Sequence, residues 1–155
     1  MTPRVEVLNL PLLSWSAGAP EPFLVSSERK TLFAFHAPAG GVTEAEIRIG
    51  EFERCTSVKF GFPNDEVLNG HPLWECGLQP YEAHEVIDSP WLTELREMER
   101  HHPMAAAAPF PDSKHYVLTF HDSTLEAIAG SILVYGNVGT MTEAVTLMAN
   151  RAFAL

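Results

Sequence analysis

Lys114-His115-Tyr116-Val117-Leu118-Thr119-Phe120-His121-Asp122-Ser123-Thr124-Leu125-Glu126 is the stretch on which the fold turns. It alternates: His115, Val117, Thr119 and His121 fall on one face, and Tyr116, Leu118 and Phe120 on the other. A period of two in β-branched and aromatic residues marks a strand with one face toward a core. The continuation admits two readings. Ser123 with Glu126 forms a capping box, and Leu125, Ile128, Ala129 and Ile132 recur at helical spacing. Against that, Ile132-Leu133-Val134-Tyr135 is rich in strand formers, and a two-residue turn at Asp122-Ser123 would close a hairpin. The hairpin is preferred, and it makes the sheet antiparallel.

The segments before it agree. Residues 5–13 open as a strand that Pro11 confines to an edge or an end, because proline donates no ladder hydrogen bond. Ser14–Pro22 reads as a loop, and Thr31–His36 as a strand ended by Pro38-Ala39-Gly40-Gly41. Over 42–49, Ala45, Ile47 and Ile49 face one way and Glu44, Glu46 and Arg48 the other. After Gly50 the pattern continues less regularly over 51–60, through Phe52, Val58 and Phe60. No periodic helix separates these strands, which favours hairpins over parallel βαβ units.

Residues 61–81 mix turn residues with Phe62, Leu68, Leu73 and Trp74, so they form an ordered loop packed on the body of the domain. Ser89 is a good N-cap and Pro90 suits the first helical position. Trp91, Leu92, Leu95 and Met98 make one apolar stripe of a helix over 89–102, with His101 and His102 in its last turn and Pro103 as its stop. Ala105–Ala108 reads as a surface connection. Thr140-Met141-Thr142-Glu143 is another capping signature and opens a C-terminal helix over about 141–151. The expected fold class is α+β: a mainly antiparallel curved sheet or partial barrel, with one central helix (about 89–102) and a C-terminal helix, in a single domain over 1–155.

Composition narrows function by exclusion. The 155 residues carry 20 acidic against 10 basic side chains, a formal charge of -10. Nucleic-acid binding rests on neutralising phosphates with Lys and Arg, so a nucleic-acid partner is not expected. Anionic membrane surfaces are disfavoured for the same reason, and no apolar run approaches transmembrane length. Cys55 and Cys76 match no metal spacing. With no signal-peptide pattern at Met1–Glu6, the expectation is a cytoplasmic protein with reduced thiols. Gly136-Asn137-Val138-Gly139 lacks the lysine and spacing of a phosphate loop, and no Gly-x-Ser-x-Gly elbow surrounds Ser123. Neither cofactor nor metal is expected, and a homo-oligomer stays open.

The candidate chemistry is acid–base. His121, at the strand end, is the candidate acid or base, with Asp122 or Glu126 as its orienting carboxylate. Successive strand residues point to opposite faces, so Asp122 reaches His121 only if the strand breaks between them. Otherwise Asp122-Ser123 is an Asx turn. His115 lies about 20 Å from His121 along the strand and reads as a surface residue. Asn69, His71 and Trp74, in Asn69-Gly70-His71-Pro72-Leu73-Trp74, are candidate ligand contacts on the ordered loop. Glu82-Ala83-His84-Glu85 reads as a solvated acidic face.

Two stretches resemble a family of small bacterial proteins with no assigned activity: Gly61-Phe62-Pro63-Asn64-Asp65-Glu66 with Asn69-Gly70-His71-Pro72-Leu73, and Thr119-Phe120-His121-Asp122-Ser123-Thr124-Leu125-Glu126. The resemblance implies that the loop and the strand end matter together. The leading expectation is a protein that binds a small organic molecule, or a cofactor-free, non-redox enzyme of cyclase, isomerase, hydratase or lyase type. The alternative is an acidic, immunity- or inhibitor-like protein that covers a basic partner.

Overall fold

Alternation builds two antiparallel sheets here rather than one curved sheet. The computed structural model describes residues 1–38 and 46–154. The elements are β1 (Arg4–Val7), β2 (Phe23–Ser26), β3 (Thr31–His36), β4 (Ile47–Glu53), β5 (Ser57–Gly61), β6 (Ala83–Ile87), α1 (Pro90–Glu99), β7 (Lys114–Thr119), β8 (Thr124–Ala129), β9 (Ser131–Val138) and α2 (Met141–Phe153). One sheet runs β1-β6-β7-β8-β5 and the other β2-β3-β4-β9. Both are open, and with the two helices they make an α+β fold.

The stretch 114–126 is a hairpin, with Thr119 opposite Thr124. The Phe120 N–H donates to the Ser123 carbonyl at 2.9 Å, so the two-residue turn is His121-Asp122, one residue earlier than expected. The chain leaves the first sheet at Gly130, whose N–H donates to the Glu53 carbonyl at 2.8 Å. The Arg54 guanidinium occupies the space a β-carbon would take there. Ile132–Tyr135 therefore belongs to β9 in the second sheet and does not prolong the hairpin.

Alternating side chains sort into layers. Phe33, Phe35 and Phe52 of the second sheet meet Tyr116, Leu118, Phe120 and Leu125 of the first in one core. Trp15 closes that core, 4.6 Å from the Phe120 ring and 5.8 Å from Phe35 between centroids, and its indole N–H donates to the Thr119 carbonyl at 3.0 Å. The opposite faces, Leu32 and Ala34 with Ile47 and Ile49, are covered by Ala144, Met148 and Ala152 of α2. On the outer face of the first sheet, Val5, Val86 and Val117 lie under Leu68, Leu73 and Leu78.

Several boundaries differ from the sequence reading. The first strand ends at Val7. Residues 39–45, hence the turn after Pro38 and the start of the 42–49 strand, lie outside the described residues. Ser89 caps α1 by accepting from the Leu92 N–H, as expected, but α1 ends at Glu99, so His101 and His102 follow it. The connection beyond is tied back: Arg96 donates to the Pro109 and Phe110 carbonyls at 3.0 and 3.1 Å.

Glu82–Glu85 is not a solvated face. Ala83–Ile87 is β6, inside the first sheet, and His84 is fully buried. The Gln79 N–H donates to His84 Nε2 at 3.1 Å, so Nδ1 carries the proton and donates to the Val117 carbonyl at 3.0 Å. Burial pulls its pKa below the ordinary value, outweighing that carbonyl. A depressed imidazole pKa means the unfolded chain takes up the proton first. The stabilisation from His84 is therefore whole above the unfolded pKa near 6.5 and is lost as pH falls below it. Urea unfolding from pH 7.5 to 5 is expected to show a stability that declines with acid, and the decline should be shallower in His84→Leu whatever that variant's absolute stability. Parallel slopes in the two proteins would refute the assignment.

Candidate functional site

The outer face of the first sheet carries chemistry where β5, β8 and β7 lie side by side. Lys59 is opposite Glu126, Glu126 is opposite Val117, and His115 is opposite Ile128. Alternation thus turns Lys59, Glu126 and His115 to one face, with Glu126 diagonal to His115 and within side-chain reach. Residues 61–78 fold over this face through two short 3₁₀ turns, Asp65–Gly70 and Trp74–Cys76. The Thr124 hydroxyl donates to the Pro63 carbonyl and the Asp65 N–H to the His121 carbonyl, each at 2.9 Å. Buried Leu68 and Leu73 anchor the segment from below. The start of α1 closes the other side.

This covering creates a hydrogen-bonded chain of four side chains. Glu126 Oε2 lies 3.1 Å from His71 Nε2, and Oε1 lies 2.8 Å from His115 Nε2. His115 Nδ1 is 2.7 Å from the Ser89 hydroxyl, which also accepts from the Leu92 N–H. The Leu73 N–H donates to His71 Nδ1 at 3.0 Å. That donor fixes the His71 tautomer, since Nδ1 must present a lone pair and Nε2 must carry the proton given to Glu126. His115 is freer. As a neutral ring it accepts the Ser89 hydroxyl proton at Nδ1, and as a cation it donates at both nitrogens.

The Glu126 side chain is 14% exposed. Burial raises its pKa, but hydrogen bonds from His115 and His71, with their positive charge when protonated, outweigh burial and hold it down at about 2. The carboxylate is ionised throughout the neutral range. A carboxylate offers about four acceptor sites, and the imidazoles occupy two.

A pocket of about 330 Å³ opens beside this carboxylate. His71, His115 and Glu126 line it together with Phe62, Pro72, Leu73 and Trp91. Phe62 is 86% exposed, a large apolar ring left at the mouth. Lys59 also lines the pocket, its ammonium over the Trp91 indole at 4.1 Å from the centroid. The Trp91 ring stands edge-on to His115, with centroids 5.2 Å apart.

The residues singled out in the sequence divide between two places. Glu126 and His71 meet in the pocket. His121 and Asp122 pair with each other at 2.9 Å on the exposed turn and do not line it. The strand ends at Thr119, before both of them, and the turn that they form brings Asp122 to His121. His121 Nε2 is 3.9 Å from Asp65, which accepts the Tyr81 hydroxyl proton. The Asp122 hydrogen bond raises the His121 pKa; desolvation opposes it, and the charges of Asp65, Asp122 and Glu66 add to it. Asn69 is exposed, and Trp74 packs with the Leu68–Leu73–Leu78 cluster instead of the pocket. His115, expected at the surface, is 2% exposed and central. The sequence pattern pointed neither to its role nor to those of Lys59, Ser89 and Trp91. A signal existed for His115: in a hairpin turning near 122 it shares a face with Glu126.

No family model, curated protein or solved structure matches this chain. Among the described residues, no helix is long and apolar enough to cross a membrane.

Proposed function

We propose that this protein binds a small organic molecule in the pocket between the 61–74 loop and β8, with the Glu126 carboxylate as the fixed polar contact. The observation that carries this reading is an ionised carboxylate, bridged by two histidines, on the wall of a pocket otherwise faced by Phe62, Pro72, Leu73 and Trp91. Burying a charge is costly, and apolar side chains of similar volume hold a fold at least as well. A few convergent polar groups in an apolar concavity are the usual form of a ligand site. A strongly shifted carboxyl in that concavity points the same way.

The pairing of Glu126 with His115 extends the reading to acid–base chemistry. His115 alone in the chain of four can gain a proton without losing a hydrogen bond, since Ser89 can accept as well as donate. Glu126 itself takes a proton from the ligand on a free lone pair and returns it, while His115 Nε2, which already carries a hydrogen, goes on donating to Oε1. This suits non-redox steps such as isomerisation, hydration or elimination, which need no cofactor.

The test is a screen of single-ring fragments by protein-observed NMR. Binding is expected to shift the Trp91 indole N–H and the Leu73 amide together, leaving the His121-Asp122 turn unmoved. Fragments that bind only elsewhere, or none that bind at millimolar concentration, would overturn the proposal.

A further inference from the structure

We infer that the ligand of this pocket is amphoteric: a flat apolar body carrying an anionic group at one end and a cationic or strongly hydrogen-bond-donating group at the other. The inference rests on the binding-site reading above and adds the ligand's charge pattern. Its basis is a pair of charges that do not meet. Lys59 and Glu126 are directly opposite on neighbouring antiparallel strands, facing the same side of the sheet. Opposite charges so placed ordinarily pair across the strands. Here both oxygens of Glu126 are held by His71 and His115. The Lys59 ammonium lies over the Trp91 ring, and among the described residues no carboxylate comes within 4.0 Å of it.

The two charges are thus kept apart, and both line one pocket. Glu126 has acceptor capacity left for a ligand N–H. Lys59 has ammonium protons that an indole face engages only weakly and that an anionic oxygen would engage better. The Trp91 indole and the exposed Phe62 ring offer flat apolar surface in the same pocket. The pocket has room for one ring with a short substituent, so both ligand charges must sit close to that ring.

Four probes on one benzene scaffold separate the contributions: benzylamine, benzoate, 4-(aminomethyl)benzoate and benzyl alcohol. Dissociation constants come from NMR titration of the Trp91 indole N–H. 4-(Aminomethyl)benzoate is expected to bind at least about tenfold tighter than either singly charged analogue. Lys59→Met should remove its advantage over benzylamine while leaving benzylamine affinity within about twofold. Glu126→Gln should remove its advantage over benzoate. Lys59 is exposed, so Lys59→Met tests the idea even if Glu126→Gln folds poorly. Equal affinities across the four probes, or no response to Lys59→Met, would overturn the amphoteric assignment and leave the binding site standing. No shift at Trp91 with any probe would overturn both.

Discussion

Glu126→Leu is expected to cost about 3–5 kcal/mol of folding stability, and Glu126→Gln less, about 2–3 kcal/mol. The difference follows from proton placement. Leucine leaves Nε2–H of His71 and of His115 buried without an acceptor, and each such loss costs more than an unmade exposed hydrogen bond. Glutamine can serve both rings, in one arrangement only. The Leu73 N–H fixes His71 as a donor at Nε2, so the amide oxygen must face His71 and the amide NH₂ must face His115. His115 then shifts its proton to Nδ1 and donates to Ser89, which can accept. Nitrogen chemical shifts should show that tautomer change in Glu126→Gln.

The acid limb supplies a second readout. The Glu126 pKa is lowered from 4.5 to about 2, so the unfolded chain takes up this proton first as pH falls. Stability from Glu126 is whole above pH 4.5 and is lost between there and about pH 2, about 3 kcal/mol in all. Glu126→Gln should lack that part of the acid transition. If Leu and Gln variants are equally stable, or Gln retains the full acid limb, the two imidazoles do not share this carboxylate.

The site was half legible in the sequence, and the reason lies in register. Moving the hairpin turn from Asp122-Ser123 to His121-Asp122 slides every cross-strand partner by two. Glu126 then faces Val117 and lies diagonal to His115, instead of facing Thr119. A slide of two preserves which face each residue occupies, so the alternation was right while the neighbours were wrong. The same shift takes His121 out of the ladder and onto an exposed turn, where Asp122 becomes its partner. That His115 is buried follows from the 61–78 segment and α1 covering the outer face, a tertiary fact that periodicity does not carry. The short strands show the same limit. Phe23–Ser26 and Ala83–Ile87 each have few residues, and their assignment depends on the strands beside them. Trp15 sits in a segment whose Ser, Gly and Pro content reads as loop, and it is loop; its indole is nonetheless core.

Gly50 marks a break in the sequence pattern, yet it lies in the middle of a strand. β4 runs through it from Ile47 to Glu53, and Phe33 stands directly opposite. A β-carbon at Gly50 would come nearer than 3.0 Å to three atoms of the Phe33 ring. The ring cannot retreat freely, because it is fully buried, 4.9 Å from Phe52 and 5.8 Å from Phe35 between centroids. Glycine is poor in a strand interior on entropic grounds, so alanine would otherwise gain about 0.5–1 kcal/mol. Here the gain is outweighed by forcing Phe33 off its rotamer into a packed core, and Gly50→Ala is expected to destabilise by about 3 kcal/mol. The cause is specific to one pair, so it can be isolated. Phe33→Leu alone should cost about 1–3 kcal/mol for lost packing. In the double variant the smaller side chain vacates the space that the added methyl group needs, and the total should fall short of the sum of the single losses by at least about 1 kcal/mol. Denaturant unfolding of the three variants measures the coupling. A neutral Gly50→Ala, or strict additivity, would mean that the two sheets do not pack through a Phe33 ring seated on Gly50.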